Sequence, residues 1–383
     1  MLIRKTIINP INELVESGKM VGLLLIGATL FSLSLSNSDF GDSYLKIWGT
    51  EIGFSFLHKS ILHWINDGLM AVFFLLVGIE IKRELVKGEL SSRQQAILPV
   101  AAAIGGILFP ALIFFFFNAR HGSTLNGWAI PTATDIAFSL GILSLLGDRI
   151  PFSLKIFLTA LAIIDDLGAI IIIAIFYNQG IHFDMLFYSL IILSGLILLN
   201  RFKVRSIILY IIPGVFLWYF ILKSGIHPTI AGVLLAMTIP ADLSEDFEHQ
   251  LHKPVNYLIL PVFALANTSM TLSFDHIIQL FSTLGLGIMI GLFIGKPAGI
   301  TLATWVLVRT KAALLPKGVN WKQIVGLGMT AGIGFTMSIF ISSLSFAEED
   351  FTNIAKLAIL VASLFSAIAG LLVLKFTSEP NEK

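Results

Sequence analysis

The sequence predicts an all-α polytopic membrane protein of about twelve transmembrane helices. Three observations carry this expectation. Of 383 residues, 56% are hydrophobic and 13% charged, and the mean hydropathy is +0.89; soluble domains carry about 25% charged residues. Apolar runs long enough to cross a hydrocarbon core, roughly 20 residues each, recur along the whole chain. Lys and Arg gather in alternate connections between those runs, which sets an orientation.

The same composition excludes several classes. A net charge of +1 implies no nucleic-acid partner. With no cysteine, disulfides, thiolate metal sites and Cys nucleophiles are ruled out. The segment from Met1 to Lys19 lacks the ordered regions of a signal peptide, so no cleavage is expected.

The runs place spans at 13–36, 59–84, 96–117, 123–145, 151–177, 183–200, 205–222, 226–239, 254–273, 280–307, 323–345 and 351–376. The whole chain reads as one integral membrane domain. Residues 37–58 form the longest connection; within it Leu45 to Phe54 alternates weakly, and a short hairpin is expected, with an ordered loop as the competing reading. An exposed hairpin edge suits pairing with a second copy of the chain. With both termini in the cytoplasm, 19 of the 25 Lys and Arg residues fall on that side and five opposite, leaving Lys296 inside a span.

The fifth span carries Asp165 and Asp166 side by side at its centre. One ionised Asp at mid-bilayer costs about 2.5–3.5 kcal/mol on insertion scales. Two together also repel, so a transported cation or proton is the expected offset. In the fourth span, Pro131 removes a backbone donor and is followed by Thr132, Thr134 and Asp135. A plain proline kink explains the threonines but not Asp135. The eleventh span carries Gly326, Gly328, Gly332 and Gly334, with Thr330, Thr336 and Ser338 able to bond freed backbone groups. Close packing through small residues is the alternative there. Broken helices are tolerated in lipid only where buried in protein or lining a cavity.

Matched interruptions in triplets 96–177 and 280–376 predict inverted-topology repeats with spans 4 and 11 crossing at the midplane, a rule of which the family named below is itself a standing example. Asp135 would then offset the positive helix ends and Lys296 the negative ones. Lys296 lies well inside its span, so snorkelling does not explain it, and the Asp pair is the expected partner. Adjacent helical residues point about 100° apart, so one Asp can face Lys296 while the other faces an ion path.

Asp67 is a further intramembrane acid. Glu80 closes the second span, and Glu248, His249 and His252 precede the ninth, where histidines titrating near neutrality suit pH sensing. A solvated loop of ordinary charges is the plainer reading of that group. His227, at the outer start of the eighth span, is a weaker candidate of the same kind.

These residues favour a secondary transporter exchanging a small hard cation for protons. A membrane aspartyl protease needs an Asp on each of two spans, typically with a Gly-x-Gly-Asp context, which is absent. A prenyltransferase needs paired Asp-rich motifs for Mg²⁺ and pyrophosphate, also absent. A channel gains from a symmetric ring of chains, which buried Asp–Lys pairing and discontinuous helices do not suggest.

Five strings carry a resemblance over nearly the whole chain: Trp64 to Gly78, Pro131-Thr-Ala-Thr-Asp-Ile-Ala-Phe138, Ile164-Asp-Asp-Leu-Gly-Ala169, Gly295-Lys-Pro297 and Gly332-Ile-Gly-Phe-Thr-Met-Ser-Ile-Phe340. The sequence resembles the NhaA family of sodium/proton antiporters. The resemblance implies electrogenic exchange in the bacterial inner membrane, two protons entering for each Na⁺ expelled, with Li⁺ as a further cation, no cofactor and no enzyme activity. It implies Na⁺ and proton binding at Asp165 and Asp166, with Asp166 facing the ion and Asp165 nearer Lys296. Asp135 and Thr134 become charge-compensating or ligating, and Glu80, Glu248, His249 and His252 a pH-sensing funnel. It also implies a homodimer bridged by the outer hairpin, in the loop where this chain departs most from the family.

Overall fold

The computed structural model describes residues 9–55, 57–178 and 180–378; Arg4, Lys5 and Lys383, counted in the charge asymmetry, lie outside them. Helix α1 (Asn9–Ser36) leads to α2 (Gly41–Gly49) and an antiparallel hairpin of β1 (Glu51–Phe54) and β2 (Leu57–Ser60). Then come α3 (Ile61–Val86), α4 (Arg93–Asn118), a 3₁₀ stretch Leu125–Thr132, α5 (Ile136–Leu145) and α6 (Phe152–Phe176). They are followed by α7 (Phe183–Arg201), α8 (Ile208–Ser224), α9 (Ile230–Thr238) and α10 (Ala241–Pro254). A π-turn at Val255–Ile259 carries α10 directly into α11 (Leu260–Asn267). The chain ends with α12 (Phe274–Gln279), α13 (Thr283–Arg309), α14 (Trp321–Ala331), α15 (Phe335–Ser345) and α16 (Glu349–Thr377).

Among the described residues, eight helices are long and apolar enough to cross a membrane, or nine if α14 and α15, bent by 46° at their break, form one span. The chain is therefore helical and polytopic. Two local expectations change. The segment from Leu45 is helical as far as Gly49, and the strands occupy 51–60 instead. Tyr44 explains this: its hydroxyl donates to Ser32 Oγ (3.1 Å) and the Leu265 carbonyl (3.3 Å), a tertiary anchor that outweighs weak alternation. The hairpin then tightens at Gly53, whose φ of +134° few side chains adopt. The Glu248–His252 segment is also not a loop but the last turns of α10.

The chain divides into two compact units, one of 1–24, 87–169 and 272–383, the other of 25–86 and 170–271. In the first, α4 and α13 cross backbone to backbone. A Cβ on Gly299 would sit 2.1 Å from the Gly105 carbonyl, so only glycine permits the approach. This crossing fixes Lys296, one turn before Gly299, in the interior. Leu98, Leu140, Leu158, Leu161, Ile300 and Leu327 fill the core around it. In the second unit, α3 and α9 meet at Gly232, where a Cβ would lie 2.1 Å from the Ala71 carbonyl. Leu75, Ile79, Tyr210, Leu217 and Leu235 form that core. A π-turn at Trp64–Leu69 loosens the start of α3, and the Asp67 carbonyl accepts from Trp218 Nε1 at 2.8 Å.

Candidate ion site

Helix ends leave backbone groups without intrahelical partners, which is costly in a buried, apolar setting. In the first unit the two breaks answer one another's needs. At the end of α14 the carbonyls of Thr330, Ala331 and Ile333 accept from Ser139 Oγ (2.8 Å), Thr134 Oγ1 (2.8 Å) and the Asp135 amide (2.7 Å). In return, Ser338 Oγ donates to the Ile130 carbonyl at 2.7 Å. Pro131 and Gly332 thus end their helices where hydroxyls from the opposite break are waiting.

Asp135 caps both of the helices that restart. Its Oδ1 accepts from the Phe138 amide of α5 at 2.9 Å, and its Oδ2 from the Thr336 amide of α15 at 3.1 Å and from Thr336 Oγ1. A carboxylate at two positive helix ends is electrostatically well placed. At a negative end, the Lys296 ammonium donates to the Thr132 carbonyl. The Thr132 hydroxyl is spent locally on Ala129 (2.8 Å), so its carbonyl is the group that meets the lysine.

Lys296 is fully buried, and its Nζ also donates to Asp165 Oδ2 at 2.6 Å. The other oxygen, Asp165 Oδ1, is buried with no hydrogen-bond partner. Asp166, buried beside it, also acts on the Lys296 charge. Two buried carboxylates, Asp165 and Asp166, thus act on one ammonium, and their surplus negative charge calls for a cation or proton. The unpartnered oxygen of Asp165 and the buried carboxylate of the following residue are hard oxygen donors of the kind that suit such a cation.

Residues 12–374 match the family described as Na+/H+ antiporter 1. The chain belongs to that family. It is similar to Na(+)/H(+) antiporter NhaA 2 of Flavobacterium johnsoniae, 51% identical over 363 residues, covering 92% of this chain and 89% of the relative. It is also similar to Na(+)/H(+) antiporter NhaA of Shewanella oneidensis, 49% identical over 361 residues (91% and 93% covered). A third relative, Na(+)/H(+) antiporter NhaA 2 of Clostridium beijerinckii, is 45% identical over 395 residues (100% and 98% covered). Family and helices together make this a multi-pass bacterial membrane protein.

The remaining candidates of this Na+/H+ antiporter family member lie in the second unit. Glu80 on α3 and His252 on α10 approach to 3.5 Å, and His252 stands 3.5 Å from Glu248 one turn back. Arg83 bonds Glu248 and lies 3.2 Å from Glu84. Glu80 and Glu248 are buried, whereas His249 lies on the exposed side of α10. Burial alone would depress His252, but the hydrogen bond to Glu248 and the charges of Glu80 and Glu248 outweigh it and raise His252 above the ordinary histidine range. Asp67 meets His227 at 3.7 Å.

Residue types alone did not reveal the pairing of Thr336 with Asp135, or the place of Arg83 between Glu248 and Glu84. A usable signal for the first was present: a hydroxyl two residues after Gly334, at a helix start that a buried Asp must also serve.

Proposed function

We propose that this chain is a Na⁺/H⁺ antiporter that expels cytoplasmic Na⁺, and Li⁺ with it, against entering protons at Asp165 and Asp166. Family membership supports the exchange. The observation that carries the site is the divided role of Asp165: one oxygen is held by Lys296 and the other is buried without a partner beside Asp166. A cation seated there satisfies the orphaned oxygen and offsets Asp166. A proton on either carboxylate removes the same excess charge. Cation and proton therefore compete for one set of oxygens, and competition coupled to alternating access is exchange. Asp166 faces the cation, Asp165 stays with Lys296, and two protons enter for each Na⁺, so each cycle moves net charge.

Twelve crossings complete the architecture. The bent α14–α15 pair counts as one, and three shorter apolar segments, α8, α9 and the Val255–Asn267 stretch, join the eight long helices. In this reading triplets 96–177 and 280–376 are inverted repeats, and both termini face the cytoplasm of a bacterial inner membrane. Glu80, Glu248, His249 and His252 form the pH-responsive group, supported by the proximity of three of them across α3 and α10. Two copies pair through the 37–58 loop and its hairpin edge. Reconstitution into vesicles with a pH-sensitive dye and a panel of cations tests the exchange. Proton release driven by Na⁺ and Li⁺ but not K⁺ is expected; conductance without proton exchange contradicts it.

A further inference from the structure

We infer that Thr336 is a positioning residue that holds Asp135 out of the cation shell. The inference rests on the antiport reading above. It concerns which of the buried carboxylates contribute to exchange. A carboxylate offers about four lone-pair sites. Asp135 already has three donors on them: the Phe138 amide on Oδ1, and the Thr336 amide and hydroxyl together on Oδ2. Two of those donors are helix N-termini from different breaks, and both stabilise the ionised form. The backbone amide of Asp135 is itself committed to the Ile333 carbonyl at 2.7 Å. The residue is therefore pinned from both sides.

Asp165 is the contrast. It carries a buried oxygen with no hydrogen bond, so ligand capacity is present at Asp165 and consumed at Asp135. Thr336 is the only one of the three donors' sources whose side chain takes part, so it is the only one a substitution can remove while leaving the backbone in place. Its hydroxyl hydrogen points at Asp135, which makes it a lock on that carboxylate. Of the other buried charged groups in this unit, Asp165 and Asp166 from α6 and Lys296 from α13 are engaged with one another, and Lys356 of α16 feels the charge of Glu349. Asp135 thus acts as a fixed anion that neutralises two helix ends, and the exchangeable protons are confined to Asp165, Asp166 and Lys296.

Thr336→Val keeps the side-chain shape and deletes the donor; Thr336→Ser keeps the donor. Both are measured against the parent in vesicles, as pH profiles of Na⁺-driven proton release and as Na⁺ and Li⁺ KM values on the alkaline plateau. Infrared spectra of the same proteins report protonated carboxyl groups. Thr336→Ser should match the parent. Thr336→Val should move the acid limb of the profile about one pH unit towards alkaline, the size expected when a charged acceptor loses one hydrogen bond. Its plateau KM values should stay within about twofold, because no cation ligand has changed. A protonated-carboxyl band should appear in Thr336→Val and vanish when Asp135→Asn is added. A parental pH profile in Thr336→Val, or a new band that survives Asp135→Asn, overturns the inference. So does a severalfold change in the Na⁺/Li⁺ KM ratio, which would put Asp135 among the ligands. Absence of antiport in the parent fails the underlying reading instead, and the two failures are thereby told apart.

Discussion

Replacing Lys296 probes the buried ion pair most sharply. The ammonium is fully buried and makes two contacts, to Asp165 Oδ2 and to the Thr132 carbonyl. Lys296→Ala removes both at once. It leaves Asp165 with two unsatisfied oxygens where it now has one, and uncaps the 3₁₀ stretch that ends at Thr132. Removing one partner of a buried pair costs about 3–5 kcal/mol, chiefly through the charge left behind. Lys296→Arg retains a cation, so its cost is confined to fitting a broader head beside Gly106, whose Cβ position lies 3.7 Å from Lys296 Cε; overpacking of that kind costs about 1–3 kcal/mol. Thermal unfolding of the detergent-solubilised protein should rank parent, then Arg, then Ala. Adding Asp165→Asn to Lys296→Ala should recover part of the loss, because the stranded charge is gone. Equal stability of the Ala and Arg variants, or no recovery in the double variant, refutes the pairing as an energetic fact.

The remaining expectations concern other parts of the fold. His252 is raised in the folded protein, so its pairing with Glu80 and Glu248 contributes stability that is fully present below about 6.5, the ordinary histidine value, and lost as pH rises through the raised one. His252→Ala should flatten the pH dependence of melting over that window, and a variant with the parental dependence would assign it to other groups. Glu248→Cys should shift the pH profile of exchange while retaining activity; substitutions at Glu248, His249 and His252 that all leave the profile unchanged would return the group to ordinary surface charge. Gly299→Ala places a methyl group 2.1 Å from the Gly105 carbonyl and should lower the melting temperature through a loss of about 1–3 kcal/mol, visible as a shift in fluorescence-detected size exclusion.

The long helices were legible because lipid demands a simple pattern, and α4, α6 and α16 lie close to the spans read from hydropathy. The central acids were legible for the complementary reason: charge in an apolar run is expensive and conspicuous. Short elements were not. The helix at Gly41–Gly49 is held by the tertiary bonds of Tyr44, which no local pattern records. The continuous path from Ala241 to Asn267 was hidden because the polar face of α10 reads like a loop when its partner, Arg83, is distant in sequence. Thr336 was visible as a hydroxyl for freed backbone groups, but its commitment to Asp135 depends on two breaks meeting, which spacing along one chain does not encode. Likewise, sequence suggested that one Asp of the pair meets Lys296, and geometry was needed to find the second oxygen of Asp165 left without a partner.

The central claim is that cation and protons share the Asp165–Asp166 oxygens, and Asp166→Asn in everted vesicles tests it most directly. The substitution keeps size and polarity while removing the charge that Na⁺ must meet. The variant should insert in the membrane at parental levels and show no Na⁺-driven or Li⁺-driven proton movement at any pH. Exchange at the parental rate in that variant would contradict the assignment of the site.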